Sequence, residues 1–395
     1  MFVTTGDRFR SMADASPTNL STQGDDKLKE AKAVVLDGVD GVDGVKGTGK
    51  KKAGGGGQEP FGKMLKRYAI EVVLIVGWLC LTATVFASFS GLFWWLDLLT
   101  HFRVLYASAL LLGVIAAILG KHWRQAGSLN LALVINLYLI APLWTETQAN
   151  PQADGGPSIR LVQLNVLTSN TAHETTLAFL QETHGDVLVL QEVNAAWMRV
   201  FREGLLGYDI AAQSPREDNF GMAVLVKKGV LEGYKAEIIE SETTGLVPQI
   251  QLSVGLVGEA QGVNLSILAV HTLPPVSSAY DQVRHAQIEA VRRWSGEQKA
   301  LGMDRVVIGD LNASYWSKPF RRLIAQTDLR DSSLGFGHQG SFPANLPAPF
   351  RIGIDHVLVS PAIRVESRAL GRSTGSDHLP VVVDLSLTGL DQALN

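Results

Sequence analysis

The chain has 395 residues, 46% of them apolar, and a formal net charge of −3, enough for one large or two ordinary domains with a sizeable core. Its single cysteine, Cys80, excludes an intrachain disulfide and a zinc site built on thiolates. Charge is unevenly spread, with 15 Lys+Arg against 12 Asp+Glu in residues 1–150 and 20 against 26 in residues 151–395. The second part therefore lacks the general basic field of a protein that grips long nucleic acid through many phosphates.

Residues 1–62 read as a disordered, glycine-rich arm. DGVDGVDGV (Asp37 to Val45) and AGGGG (Ala53 to Gly57) are too poor in large apolar groups to offset the entropy of ordering. GVKGTGKK (Gly44 to Lys51) nearly spells a phosphate-cradling loop, but it lacks the Ser or Thr that would meet magnesium and no helix pattern follows.

Residues 63–146 read as a membrane region with about three transmembrane helices, 72–92, 104–120 and 129–145. No charge occurs from Val72 to Leu96, a run long enough for a bilayer of about 30 Å hydrocarbon thickness. The other two runs are shorter, and the third carries Asn130 and Asn136. A buried core helix is the alternative for each, but three in succession favour insertion, and a cleaved signal peptide does not fit an apolar run that starts so far from Met1. Lys63, Lys66 and Arg67 precede the first span and Lys121 and Arg124 separate the second from the third, whereas the first loop holds Asp97 and Arg103. The positive-inside rule then predicts a multi-pass protein of the cell inner membrane, with a cytoplasmic N-terminus and a periplasmic domain after Trp144. Without the third crossing the prediction reverses.

A hydrophilic linker, 147–158, leads into a globular pattern over 159–388. Strand runs fall at Ile159 to Val166, Val187 to Leu190, Met222 to Val226, Leu265 to Val270, Val306 to Ile308, His356 to Val359 and Val381 to Leu385. Helical patterns lie between some of them, at Ala172 to Thr183, Tyr280 to Trp294 and Ser317 to Gln326. The mixture predicts helices layered on sheet.

Several of these strands finish in polar residues that a packed core would not choose: Asn165, Glu192, His271, Asp310 with Asn312, Asp355, and Asp377 with His378. Such positions suit reacting groups, because a sheet fixes their direction while a loop leaves them open. Taken singly, His271 reads as a hydrogen-bonded strand-end histidine, Asn312 as a turn residue and Asp355 as a loop cap. Glu192 resists such a reading, since a carboxylate ending the apolar run VLVL is costly to bury without a partner. Together, carboxylates and carboxamides without cysteine are hard oxygen ligands suited to Mg²⁺ or Mn²⁺. Two histidines that neutralise or protonate phosphate oxygens complete the parts for metal-assisted phosphate-ester hydrolysis.

The ordered series QLNV, LQEVN, NFGMAVL, VHTLPP, GDLNAS, IDHVLVS and SDHLPVVVDL resembles the motifs of the endonuclease/exonuclease/phosphatase superfamily, over about Ile159 to Leu385. The resemblance implies a four-layered α/β sandwich, two mixed β-sheets flanked by helices, preceded here by a helical transmembrane region. It implies a metal site of Glu192 supported by Asn165, with Asp377 near the metal or a second metal. It further implies that Asp310 aligns or deprotonates the water, Asn312 holds the phosphate, His271 contacts phosphate or leaving group, and His378 acts as general acid or phosphate stabiliser with Asp355 orienting its ring. Asp218 or Glu217 are the candidates for a carboxylate behind His271. The expected activity is a membrane-anchored nuclease using Mg²⁺ or Mn²⁺, with a phosphodiester of nucleic acid as substrate, the lipid bilayer as its other contact, and no protein partner evident. The alternatives are a phospholipid or sphingolipid phosphodiesterase and a non-catalytic membrane-attached binding protein.

Overall fold

In the computed structural model, residues 60–146, 158–231, 233–255 and 264–387 are described. The glycine-rich arm, the phosphate-loop lookalike, nearly all of the linker and residue 388 lie outside them.

Pro60 opens the first helix, α1 (Phe61–Ala87), whose 27 residues span about 40 Å. It ends at a serine-rich turn, short of residue 92, and the Thr84 and Ser88 hydroxyls bond back to the carbonyls of Cys80 and Thr84. A short helix, α2 (Trp94–Leu98), and a 3-10 turn (Leu99–Phe102) lead into α3 (Arg103–Leu119). A tight turn with Lys121 at φ 61° reverses the chain into α4 (Trp123–Ile140), followed by α5 (Pro142–Thr145). Glycines let α1 and α3 approach closely: a Cβ on Gly77 would lie 3.5 Å from Gly113 Cα, with fully buried Leu129 of α4 against both.

Asn136, which counts against a third crossing in the sequence, joins all three long helices. Its Nδ2 donates to Thr84 Oγ1 at 2.9 Å and its Oδ1 accepts from Arg103 Nη1 at 3.2 Å. Outward, the bundle is apolar, with Ile75 and Leu79, Leu112 and Leu119, and Leu131 and Tyr138 exposed. Two helical runs, Phe61–Ala87 and Trp94–Leu119, are long and apolar enough to cross a membrane.

The remaining chain forms β1 (Ser158–Asn165), α6 (His173–Thr183), β2 (Val187–Gln191), α7 (Ala195–Gly204), β3 (Tyr208–Ser214), β4 (Met222–Lys227), β5 (Lys235–Ile239), β6 (Gln249–Gly255), β7 (Asn264–His271), α8 (Ser278–Ala300), β8 (Asp304–Asp310), α9 (Lys318–Gln326), β9 (Arg330–Asp331), β10 (Asp355–Val359), β11 (Ile363–Leu370) and β12 (Val381–Leu387). Two six-stranded sheets result, ordered β11-β12-β1-β2-β4-β3 and β5-β6-β7-β8-β10-β9. Both are mixed, since β1 pairs parallel with β2 and β7 with β8, while their other pairs are antiparallel.

Strand alternation explains the layering. Ile159, Leu161, Val187 and Val189 face Ile267, Val306 and Ile308 in a core between the sheets. Val162, Leu164, Leu188 and Leu190 point the other way, under Phe179 of α6 and Trp197 and Phe201 of α7. Leu268, Val270 and Val307 meet Ile288, Val291, Phe320 and Leu323 of α8 and α9. The layers are helix, sheet, sheet and helix, as the sequence resemblance implied. Trp316 and Leu334 of this domain are buried in the apolar cluster of the helical bundle, and the Trp316 indole donates to the Leu139 carbonyl at 2.9 Å.

Candidate active site

Strand register assembles the site. His271 ends β7 opposite Asp310 at the end of parallel β8, and antiparallel β10 begins with Asp355 opposite that same Asp310. In the other sheet Asn165 ends β1 beside Gln191, so Glu192 follows at the same edge. Because β12 runs antiparallel to β1, the SDH turn before it arrives there too, and Ser376 Oγ donates to the Asn165 carbonyl at 2.6 Å.

The local backbone is bent to present these groups. Glu192 and Asn312 adopt left-handed conformations, φ 58° and 44°, that non-glycine residues hold only where the surroundings enforce them. Gly309, just before Asp310, has no room for a side chain, since a Cβ there would lie 1.9 Å from the Val270 carbonyl oxygen.

His378 and Asp355 form a buried pair, Nδ1 to Oδ2 at 2.8 Å. Gln163 Nε2 donates to the other Asp355 oxygen at 2.7 Å and Ser341 Oγ donates to Oδ2, so this carboxylate is fully engaged. Asp310 has one oxygen occupied, Oδ1 accepting from the Asn312 backbone at 2.8 Å. Its Oδ2 lies 3.7 Å from Nε2 of both His271 and His378 and 3.5 Å from Asn165 Nδ2. Asn165 also donates to Glu192 Oε1 at 2.9 Å, and its own oxygen accepts from Leu167 N. As it lies, Asn165 therefore offers a donor to two carboxylates and supports Glu192 rather than facing a cation with oxygen.

Half-buried Asp377 reaches only Ser376 Oγ, at 3.5 Å, among the described residues. Asn312 Nδ2 donates to the Thr272 carbonyl at 2.7 Å, which leaves its second amide hydrogen for a ligand.

Charge in this pocket is out of balance. Burial, and secondly Asp355, push Asp310 up to about 8. Burial also raises Glu192 against its bonds from Asn165 and Thr168, with the Asp377 charge adding to the rise. Burial opposes protonation of His378, but Asp355, with help from Asp310 and Asp377, outweighs it and pushes His378 up to about 10. Burial, then the His378 charge, lowers His271 to about 4. One imidazolium thus faces several carboxylates, two of them held above their ordinary range by desolvation.

Hard oxygen donors with surplus negative charge fit a divalent cation. Asp310, Asp355 and His378 lie close enough for a three-ligand set, although Asp355 already accepts from Gln163 and Ser341 and is paired with His378 Nδ1. Glu192 and Asp377 add further carboxylates beside this set, near enough for the Asp377 charge to act on Glu192 and the Glu192 charge on Asp310.

No carboxylate among the described residues bonds to His271 Nδ1, although the Asp218 charge acts on the ring. Asp218 is held bidentate by Arg216, Glu217 by Asn194, and His271 Nδ1 is buried with no hydrogen-bond partner among the described residues. Residues missed in the sequence surround both histidines: Phe220 lies 5.4 Å from the His271 ring and Phe342 4.8 Å from that of His378. Gln163 carried a signal, a polar residue midway along an apolar strand, whereas Ser341 and Phe342 come from an irregular loop that carried none.

A two-sheet sandwich with histidines and carboxylates gathered at one edge defines a hydrolytic phosphoesterase. The Endonuclease/Exonuclease/phosphatase family pattern matches residues 162–378, more than half the chain, and the protein belongs to that family. Among solved structures, a family protein from Bacteroides thetaiotaomicron is 18% identical, covering 59% of this chain and 98% of its own, with TM-score 0.46. D. rerio TDP2 complexed with single-strand DNA product is 17% identical, covering 59% and 100%, with TM-score 0.47. A Bacteroides thetaiotaomicron mannosyl-6-phosphatase is 16% identical, covering 57% and 99%, with TM-score 0.45. Comparison with curated protein sequences finds no match.

Proposed function

We propose that this phosphoesterase is a membrane-anchored, divalent-metal-dependent phosphodiesterase that acts as a nuclease. The observation that carries the reading is the cluster of buried Asp310 and Asp355 with half-buried Glu192 and Asp377 against the single charge of His378. Mg²⁺ or Mn²⁺ held by Glu192 and Asp377 would supply Lewis-acid stabilisation of charge on phosphate oxygens.

This chain's residues do the rest. Asp310 Oδ2, which faces both histidines, orients the attacking water and takes its proton. His378, protonated and fixed by Asp355, presents Nε2–H to a phosphate or leaving oxygen. Neutral His271 stands on the other side of the same Asp310 oxygen and contacts the leaving group, and the Asn312 amide holds the phosphate.

Anchoring is supported by the bundle's apolar exterior and its two long apolar helices. α2 and the end of α4 both meet the α/β domain, through Asp97 and Leu139. The start of α1, the α3–α4 turn and the first turn of α4, which carry Lys63, Lys66, Arg67, Lys121 and Arg124, lie at the other end, where a Cβ on Gly120 would touch Ile70. This arrangement favours basic residues inside and the α/β domain outside the cytoplasmic membrane, and alkaline-phosphatase fusions after Trp144 should be active.

The seating of the domain directly on an apolar bundle favours a second reading, a lipid phosphodiester substrate. Full-length protein with Mg²⁺ or Mn²⁺, assayed side by side on DNA and RNA oligonucleotides and on phospholipid and sphingomyelin vesicles, separates the two. Preference for lipid by about a hundredfold or more in kcat/KM, about 3 kcal/mol, would overturn the nuclease reading.

A further inference from the structure

The loop after β8 carries Asn312, and its backbone is tied down group by group. Thr272 Oγ1 donates to the Leu311 carbonyl, Arg284 Nη1 donates to the Asn312 carbonyl at 2.8 Å, and His356 Nε2 holds the Ala313 carbonyl at 2.8 Å. Two further ties come from outside the α/β sandwich. His101 Nδ1 accepts from the Ser314 amide at 3.2 Å, and Asp97 Oδ1 accepts from the Lys318 amide at 2.9 Å. Both residues lie between α1 and α3, Asp97 in α2 and His101 in the 3-10 turn that leads into α3.

Asp97 reaches further. Its Oδ2 accepts from Arg284 Nη2 at 2.9 Å, and Arg284 is 0% exposed, held also by Asp281 at 2.6 Å. An arginine buried this completely is costly to leave unpaired, and these bonds hold its guanidinium in place. The guanidinium that fixes the left-handed Asn312 by its carbonyl is therefore itself aimed by a residue of the helical region. A domain merely tethered to a membrane would need no such buried polar contacts with its anchor.

We propose that Asp97 and His101 are positioning residues for the loop that follows Asp310 and carries Asn312, so that the helical region is a working part of the active site. The inference deepens the phosphodiesterase reading and rests on it for the loop's role. His101 accepts a hydrogen bond from Ser314 and Asp97 aims Arg284; neither touches the phosphate.

The test uses full-length protein in lipid nanodiscs, with hydrogen exchange of residues 311–318 and hydrolysis of bis(4-nitrophenyl) phosphate with Mn²⁺. His101→Leu removes the acceptor, whereas His101→Asn keeps an oxygen near the Nδ1 position. In His101→Leu the Ser314 amide should lose protection and kcat should fall about tenfold to a hundredfold, as expected when a reacting group is displaced by about 1 Å, with KM within about twofold. His101→Asn should restore both, and a purely structural role would not separate kcat from KM in this way. Asp97→Asn should loosen the same loop, and Arg284→Lys should not substitute, since one ammonium cannot reproduce the planar fork. Unchanged Ser314 protection in His101→Leu, or equal behaviour of the Leu and Asn variants, would overturn the proposal. An inert wild type with the predicted exchange pattern would instead overturn the phosphodiesterase reading and leave the positioning of the loop standing.

Discussion

Asp355→Asn is the most informative single change, because it preserves shape while removing the charge that holds His378 protonated. Gln163 Nε2 donates to Asp355 Oδ1 and, at 3.0 Å, to Gln191 Oε1. The Asn oxygen is therefore kept on that side, and its Nδ2 faces His378 Nδ1. A donor there forces Nδ1 to accept, which fixes the neutral tautomer with the hydrogen on Nε2. Without the Asp355 charge the largest remaining influence on His378 is burial, which lowers it, so an imidazole pushed up to about 10 should fall below its ordinary value of about 6.5.

At pH 7 the variant then lacks the imidazolium, and the loss of a positioned acid predicts a fall in kcat of about 10² to 10⁴, roughly 3–5 kcal/mol. The assay is the pH–rate profile of full-length protein on bis(4-nitrophenyl) phosphate, with an NMR titration of His378. Activity of the variant should recover as pH falls. A variant whose His378 still titrates near its wild-type value, or whose profile overlays the wild type, would refute the reasoning.

Divalent cation should raise the melting temperature, by about 2.7 kcal/mol of stabilisation at a hundred times Kd. The rise should vanish in Glu192→Gln, where an equal rise would place the cation elsewhere. Asp328, paired with Arg305 and Lys299, is held down to about 2 by those bonds. Its stabilisation is fully present above about pH 4 and is lost as pH falls through about 2. Since it is partly exposed, acid unfolding should differ between wild type and Asp328→Asn by no more than about 1 kcal/mol. Gly77→Leu should separate α1 from α3 and lower thermal stability of the full chain by more than about 2 kcal/mol, and a melting temperature equal to wild type would contradict the close helix approach.

The strands legible in the sequence were interior ones with continuous apolar runs, such as VLVL in β2 and VVI in β8. The unread strands include all four sheet edges, β3, β5, β9 and β11. Edges face solvent on one side and alternate or mix polarity, as KAEII and IRVESRAL do, so no apolar run marks them. The strand-end residues were legible because a polar group closing an apolar run is locally conspicuous. Contacts made across distant segments left no such mark. Asp97 reads as a loop charge between apolar helices, and only the fold reveals that it meets Arg284, 187 positions away, in a buried ion pair. Asn136 likewise reads as an obstacle to membrane insertion until Thr84 and Arg103 are seen on either side of it.

The central claim is that the cluster of Glu192, Asp310 and His378 hydrolyses phosphodiesters with a divalent cation. Full-length protein in nanodiscs, measured on bis(4-nitrophenyl) phosphate with Mn²⁺ and after EDTA, beside folded Glu192→Gln and His378→Ala, tests it most directly. The account predicts turnover that EDTA abolishes and that falls at least about a hundredfold in each variant. Turnover undiminished by EDTA or by either substitution would contradict it.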